Sequence, residues 1–178
     1  LFHNLSFTID VGSALHIKGG NGSGKSTLLR ILLGITTPSK GKIELLKPNT
    51  KITYLGHKNA IKNYLTPIEN LKLIFHQSNL ESALDWFQRL GLSRVQDEIS
   101  ANLSFGQQKK LALIRVLAAP ADLIVLDEPF VGLDDSSRNL LNKYLQESIS
   151  KGSSLALTSH IRPEIISKEL MLENFSND

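Results

Sequence analysis

At 178 residues the chain is long enough for one compact domain, and 41% apolar with 21% charged residues excludes wholesale disorder, collagen-like repeats and other low-complexity classes. Twenty basic against seventeen acidic residues leave a formal charge of +3, too small a surplus to mark a nucleic-acid binder but compatible with a phosphate-bearing ligand. There is no cysteine, which excludes disulfides, thiolate metal sites and a cysteine nucleophile.

In chain order, Leu5, Phe7 and Ile9 alternate with polar residues as in a half-buried strand, ended by an Asp10-Val11-Gly12 turn. Leu15 to Lys18 predicts a second strand, followed at once by a glycine-rich loop. Thr27 to Leu33 predicts a helix stopped by Gly34. Two further strands are expected at Lys42 to Leu45 and Lys51 to Leu55. From Lys58 to Leu117 the periodicity turns helical. Thr66-Pro67-Ile68-Glu69 is a capping box with proline at the first helical position, and Ile68, Leu71, Ile74 and Phe75 fall on one face behind it. Leu80, Leu84, Phe87 and Leu90 form a second stripe, which with Trp86 is expected in the core.

After Pro120 the strand–helix alternation returns. Leu123 to Leu126 is a continuous apolar run suited to the interior of a parallel sheet. Ser136 to Ile149 predicts a helix with Leu140, Leu141, Tyr144, Leu145 and Ile149 inward, and Leu155 to Ser159 a final strand. The expected plan is one α/β domain: residues 1–57 and 119–178 make its core, and 58–118 a helical insert. No stretch reaches the roughly 18 uninterrupted apolar residues of a bilayer span. The first residues lack the basic-then-apolar pattern of a secretory signal, so a soluble, cytosol-facing domain is expected.

Three segments carry chemistry. Gly19-Gly20-Asn21-Gly22-Ser23-Gly24-Lys25-Ser26 fits the phosphate-loop pattern in full, between a strand and a helix that continues through Thr27. The glycines let successive N–H groups converge on an anion, and the helix start adds to that field. Lys25 can reach β- and γ-phosphates and Ser26 can ligate Mg²⁺. In Leu123-Ile124-Val125-Leu126-Asp127-Glu128-Pro129 the strand ends in two carboxylates at the sheet edge where nucleotides bind. Asp127 suits Mg²⁺ and Glu128 suits a general base that polarises water. Ser104-Phe105-Gly106-Gln107 opens another helix with a capping box, a hydroxyl and free N–H groups: a second anion site, for another ligand or for the nucleotide of a neighbouring molecule.

These residues resemble the nucleotide-binding domains of ABC transporters. Leu103 to Gln107 resembles that family's signature motif, with Phe105 at a variable position. The resemblance implies a P-loop ATPase fold with a parallel-sheet lobe, an N-terminal antiparallel β portion and an inserted helical subdomain. It also implies two copies facing head to tail around two ATP molecules, each lending Ser104, Phe105, Gly106 and Gln107 to the other. Gly132-Leu133-Asp134 resembles the D-loop at that interface, and His160 the switch histidine at the γ-phosphate.

Two departures stand out. An adenine-stacking aromatic is expected upstream of Leu5, but only Phe2 is there, too close in sequence, so that contact has no assigned residue. His57 replaces the Q-loop glutamine; a neutral imidazole can still accept a hydrogen bond or bind a metal, and loses that acceptor when protonated. Tyr54-Leu55-Gly56-His57-Lys58, then Leu65-Thr66-Pro67-Ile68-Glu69-Asn70-Leu71 and Asp127-Glu128-Pro129-Phe130, resemble one branch, the ATPases of cytochrome c maturation. That implies ATP and Mg²⁺ as ligands and a role in haem handling. It further implies an integral membrane permease touching roughly residues 57–70, a peripheral place on the cytoplasmic face of the membrane, and no nucleic acid. Alternatives are the ATPase of another ABC importer or exporter, a DNA-repair ATPase and a non-hydrolysing scaffold. Only 78 positions separate Ser26 from Ser104, too few for the long coiled coil of the repair type.

Overall fold

The computed structural model describes residues 2–45 and 48–175. Five strands, β1 (Ala14–Lys18), β2 (Ile52–Leu55), β3 (Leu123–Asp127), β4 (Ser154–Thr158) and β5 (Lys168–Met171), make one sheet in the order β2-β3-β4-β1-β5. Every pairing is parallel. The helices are α1 (Lys25–Leu32), α2 (Pro67–Ile74), α3 (Gln77–Arg89), α4 (Phe105–Leu117) and α5 (Asp135–Ser150).

Period-two alternation divides the core between the two faces of the sheet. Leu55, Ile124, Leu126, Leu155 and Leu157 join the cluster formed with α2 to α5. Leu15, Ile17, Leu123, Val125 and Ala156 face the other way, onto Leu28 and Leu29 of α1. Such strands are covered on both sides, which is why β3 reads as an unbroken apolar run and is buried along its whole length. Trp86 packs beside the first cluster, its ring edge-on to Tyr144 with centroids 5.9 Å apart.

The expected antiparallel portion is not found among the described residues. Leu5 to Ile9 and Lys42 to Leu45 have no ladder partner and run as irregular chain. Leu5, Phe7 and Ile9 are nevertheless half-buried against the second cluster. Alternation decides which side chains turn inward; a strand also needs a partner backbone within ladder distance. Ile43 and Leu45 are exposed instead, at 40% and 51%. In the helical region Ile74 is turned outward because α2 ends there and the chain becomes extended at Phe75, which is buried.

Candidate active site

The strand order sets the site. β1 and β3 flank β4, and all three deliver their carboxyl ends to one edge. The loop after β1 runs through glycines in left-handed conformation at Gly22 (φ 82°) and Gly24 (φ 96°), where a side chain would be strained. Gly24 occupies the cap position of α1 and offers no side-chain cap, so the first N–H groups of α1, from Lys25, Ser26 and Thr27, are left to an anion. Lys25 Nζ folds over the loop, donating to the carbonyls of Gly19 (2.7 Å) and Gly20 (2.9 Å). Asn21 and Gly22 are exposed at the loop's tip, while the Ser23 hydroxyl is buried with no hydrogen-bond partner among the described residues.

Asp127, 2% exposed, is opposite Thr158 in the β3–β4 register. Ser26 Oγ donates to its Oδ2 at 2.6 Å and Thr158 Oγ1 donates to its Oδ1 at 2.7 Å. The next residue, Glu128, is held at φ 49°, and its N–H donates to Thr158 Oγ1 (3.0 Å) and to the Thr158 carbonyl (3.2 Å). Glu128 Oε2 accepts from the His160 N–H at 3.1 Å, while Oε1 is buried without a hydrogen bond. Register thus brings together Ser26 of the phosphate loop, Asp127, Glu128 and His160, four residues expected at one site. Thr158 links Asp127 to the Glu128 backbone and belongs to no motif; its one sequence signal is its place two residues before His160.

The start of α4 lies beside the segment that follows β3. Ser104 and Gln107 form the expected capping box: Ser104 Oγ accepts the Gln107 N–H at 3.2 Å, and Gln107 Oε1 accepts the Ser104 N–H at 2.8 Å. The N–H groups of Phe105 and Gly106 precede the first hydrogen-bonded turn. Gly106 approaches so closely that a Cβ there would lie 2.7 Å from the Gly132 carbonyl oxygen. The ring of Phe105 covers Gly132, and Lys110 Nζ donates to Asp134 Oδ2 at 2.5 Å. That cation, with the Ser137 N–H on Oδ1, lowers the pKa of Asp134 to about 2.

His57 is exposed at the end of β2 and makes no hydrogen bond among the described residues. Two carbonyls beyond it, Asn59 accepts from Arg115 Nη2 at 2.7 Å, which ties the segment to α4. Glu173, in the helical turn after β5, accepts the Gly20 N–H at 2.7 Å. Phe2 packs into the second core cluster. Arg115 and Glu173 carry no motif and were not anticipated.

Oxygen donors of Mg²⁺ type, the Ser26 hydroxyl and the Asp127 carboxylate, therefore meet beside the phosphate loop. No group of three or more acidic or histidine side chains stands ready to enclose a metal among the described residues. One hydroxyl and one carboxylate match the one or two protein oxygens that Mg²⁺ takes, its other positions going to phosphate and water.

The ABC transporter family matches residues 2–131. The cytochrome c biogenesis ATP-binding export protein CcmA of Idiomarina loihiensis is 37% identical over 171 residues, covering 90% of this chain and 78% of that one. Its namesake in Dechloromonas aromatica is 35% identical over 173 residues, covering 90% and 85%. Among solved structures, a dimeric bacterial ABC transporter cassette superposes with a TM-score of 0.74 at 25% identity, covering 90% of this chain and 80% of its own. Family match, relatives and the geometry of the sheet edge agree: this chain belongs to the ABC transporter family, as one of its ATPase domains.

Proposed function

We propose that this ATPase powers a membrane complex for haem export in cytochrome c biogenesis, working as one half of a two-site ATP sandwich. The observation that carries the hydrolytic reading is the Glu128 carboxylate, next in sequence to the Asp127 that holds Ser26 of the phosphate loop, with Oε2 taking the His160 N–H and Oε1 3.4 Å from the His160 ring. The cytochrome c assignment draws on likeness to the relatives named for it and on the Gly56-His57 and Glu69-Asn70-Leu71 segments.

In this reading Lys25 and the amides of Gly22 to Thr27 bind the phosphates. Ser26 and Asp127 would hold Mg²⁺, which when bound neutralises phosphate charge. Glu128 orients a water in line with the γ-phosphorus. The water oxygen bonds to phosphorus as the bond to the bridging oxygen of ADP breaks, and Glu128 takes the proton. The His160 ring closes on the γ-phosphate. Ser104, Phe105, Gly106 and Gln107 serve the ATP of a second copy, with Asp134 at the interface. His57 reports the state of the site to a permease seated on residues 57–70, where Tyr64 is 72% exposed. No helix among the described residues is long and apolar enough to cross a membrane. A separate membrane subunit would hold the chain at the cytoplasmic face.

The test is Glu128→Gln saturated with ATP and Mg²⁺. Turnover should fall roughly 10² to 10⁴-fold while ATP still binds, and sedimentation should show dimers. Monomers alone, even with the membrane partners present, would overturn the sandwich. Co-purification from membranes should retain a permease, and Lys25→Ala should stop haem transfer.

A further inference from the structure

β1 is paired on both sides, with β4 and β5, and the inner strands of a parallel sheet are ordinarily apolar. Two polar residues nevertheless stand on one of its faces, His16 and Lys18. His16 is 3% exposed and lies beside Glu169 in the β1–β5 register. Its Nε2 is 2.9 Å from the Ser159 carbonyl oxygen, which can only accept, so Nε2 carries the hydrogen. The neutral ring then keeps a lone pair on Nδ1, which has no hydrogen bond among the described residues. These side chains line a cleft of about 430 Å³ together with Arg162, whose guanidinium has no partner among the described residues. Glu169 is the one carboxylate of that lining, and Lys18 already donates to it. Lys25 and His160, both assigned to the γ-phosphate in the proposed reading, line the same cleft.

We propose that this cleft is a product subsite, which takes inorganic hydrogen phosphate as it leaves the γ-position. The proposal rests on the reading that ATP is split between Lys25 and Glu128. Arg162 and Lys18 supply the positive field that draws a dianion away from the phosphate loop. His16 Nδ1 supplies an acceptor instead, and an acceptor suits only a tetrahedral anion that carries a hydroxyl. Inorganic phosphate keeps at least one proton near neutral pH. The γ-phosphate of ATP bound to Mg²⁺ keeps none, and its bridging oxygen tethers it to the loop. The lining therefore favours the product over the substrate, and phosphate moves off the γ-position while ADP stays in place.

The test is calorimetric titration of inorganic phosphate into the full chain saturated with ADP and Mg²⁺, at about pH 8, where an ordinary imidazole is neutral. Arg162→Gln should weaken phosphate binding about fivefold or more, while ATP affinity stays within about twofold of the parent. Glu169→Gln removes the one carboxylate and frees Lys18, so phosphate should bind about threefold tighter, a gain that a damaged fold does not produce. Sulfate has the same shape and no proton, and the parent should bind it at least about tenfold more weakly than phosphate. His16→Gln can keep the donor to the Ser159 carbonyl but loses Nδ1, and should bring the two anions within about twofold of each other. An Arg162→Gln loss shared equally by ATP would make the cleft part of the γ-phosphate site and overturn the proposal. Equal parental affinity for phosphate and sulfate, or no tightening in Glu169→Gln, would overturn it as well. Parental turnover in Glu128→Gln and Lys25→Ala would instead sink the reading of the ATP site, so the two failures are distinguishable.

Discussion

Glu128 and His160 are joined twice: the His160 N–H donates to Oε2 at 3.1 Å, and the ring Nε2 lies 3.4 Å from Oε1. The first link survives any substitution of the ring, so His160→Ala leaves Oε2 anchored and removes the ring from Oε1 and, in the proposed reading, from the γ-phosphate. Its kcat should fall by about 10². With both residues acting on one phosphorus, as proposed, His160→Ala with Glu128→Gln should be no more than about threefold slower than the slower single variant. Steady-state turnover of the four proteins decides it, and losses that multiply would mean independent roles.

Thr158 offers a sharper separation of stability from chemistry. Its hydroxyl donates to Asp127 Oδ1 and accepts the Glu128 N–H, and it is fully buried. Thr158→Val keeps the shape and strands one carboxylate oxygen, at a cost of about 1–3 kcal/mol in urea unfolding. The Glu128 N–H keeps its bond to the Thr158 carbonyl. The strained φ at Glu128 therefore has one support fewer, and turnover should fall by more than ATP affinity does. Equal losses in both would show that the hydroxyl only stabilises the loop.

The site was legible where its residues are local in sequence, and the supports were not, because they come from register. The phosphate loop, Asp127-Glu128 and the capping box at Ser104 each announce themselves within eight residues. That Thr158 stands opposite Asp127 depends on β3 pairing with β4, which no local pattern encodes. β5 has no local signal because an edge strand needs little burial: only Leu170 of Lys168 to Met171 is inside, and Lys168, Glu169 and Met171 are exposed. The burial of Lys109, 3% exposed, has no local signal either, because lysines are almost never fully buried. The Leu5 to Ile9 alternation was real as a pattern of faces and did not extend to a ladder.

Asn70 is another such residue, visible as part of a motif but not as a structural hub. It is 2% exposed, accepts the Lys62 N–H at 2.8 Å, and donates to the carbonyls of Lys62 and Thr66 at 3.0 Å and to Ser100 Oγ at 3.1 Å. It thereby closes the 62–66 loop onto α2. Asn70→Leu fills the space but removes these bonds: the carbonyls of Lys62 and Thr66 keep backbone N–H partners, while the Lys62 N–H and the buried Ser100 hydroxyl lose the amide, which should cost about 1–3 kcal/mol. The loop belongs to the proposed permease surface, so retention of the membrane partner on co-purification should fall while turnover of the isolated chain changes by less than about twofold. Undiminished partner retention would remove this loop from the docking surface.

Asp134 gives a prediction whose sign depends on pH. Its Oδ1 caps α5 by accepting the Ser137 N–H at 2.8 Å, while Oδ2 takes Lys110. Together, with Lys110 the larger cause, they depress its pKa from 3.8 to about 2. A carboxylate with a lowered folded-state pKa stabilises fully above its unfolded value and loses that contribution as pH falls from about 4 towards 2. Because the side chain is 55% exposed, solvent screens the ion pair, and its share is below about 1 kcal/mol. Asp134→Asn keeps the cap and loses the charge, so it should be less stable than the parent by that amount at pH 7. Asp134→Ala also loses the cap and should cost about 1 kcal/mol more. Urea unfolding from pH 7 down to pH 3 should show a constant gap between parent and Asp134→Asn above about pH 5, narrowing below about pH 4. A gap that stays the same throughout would mean that the Lys110 contact contributes nothing through charge.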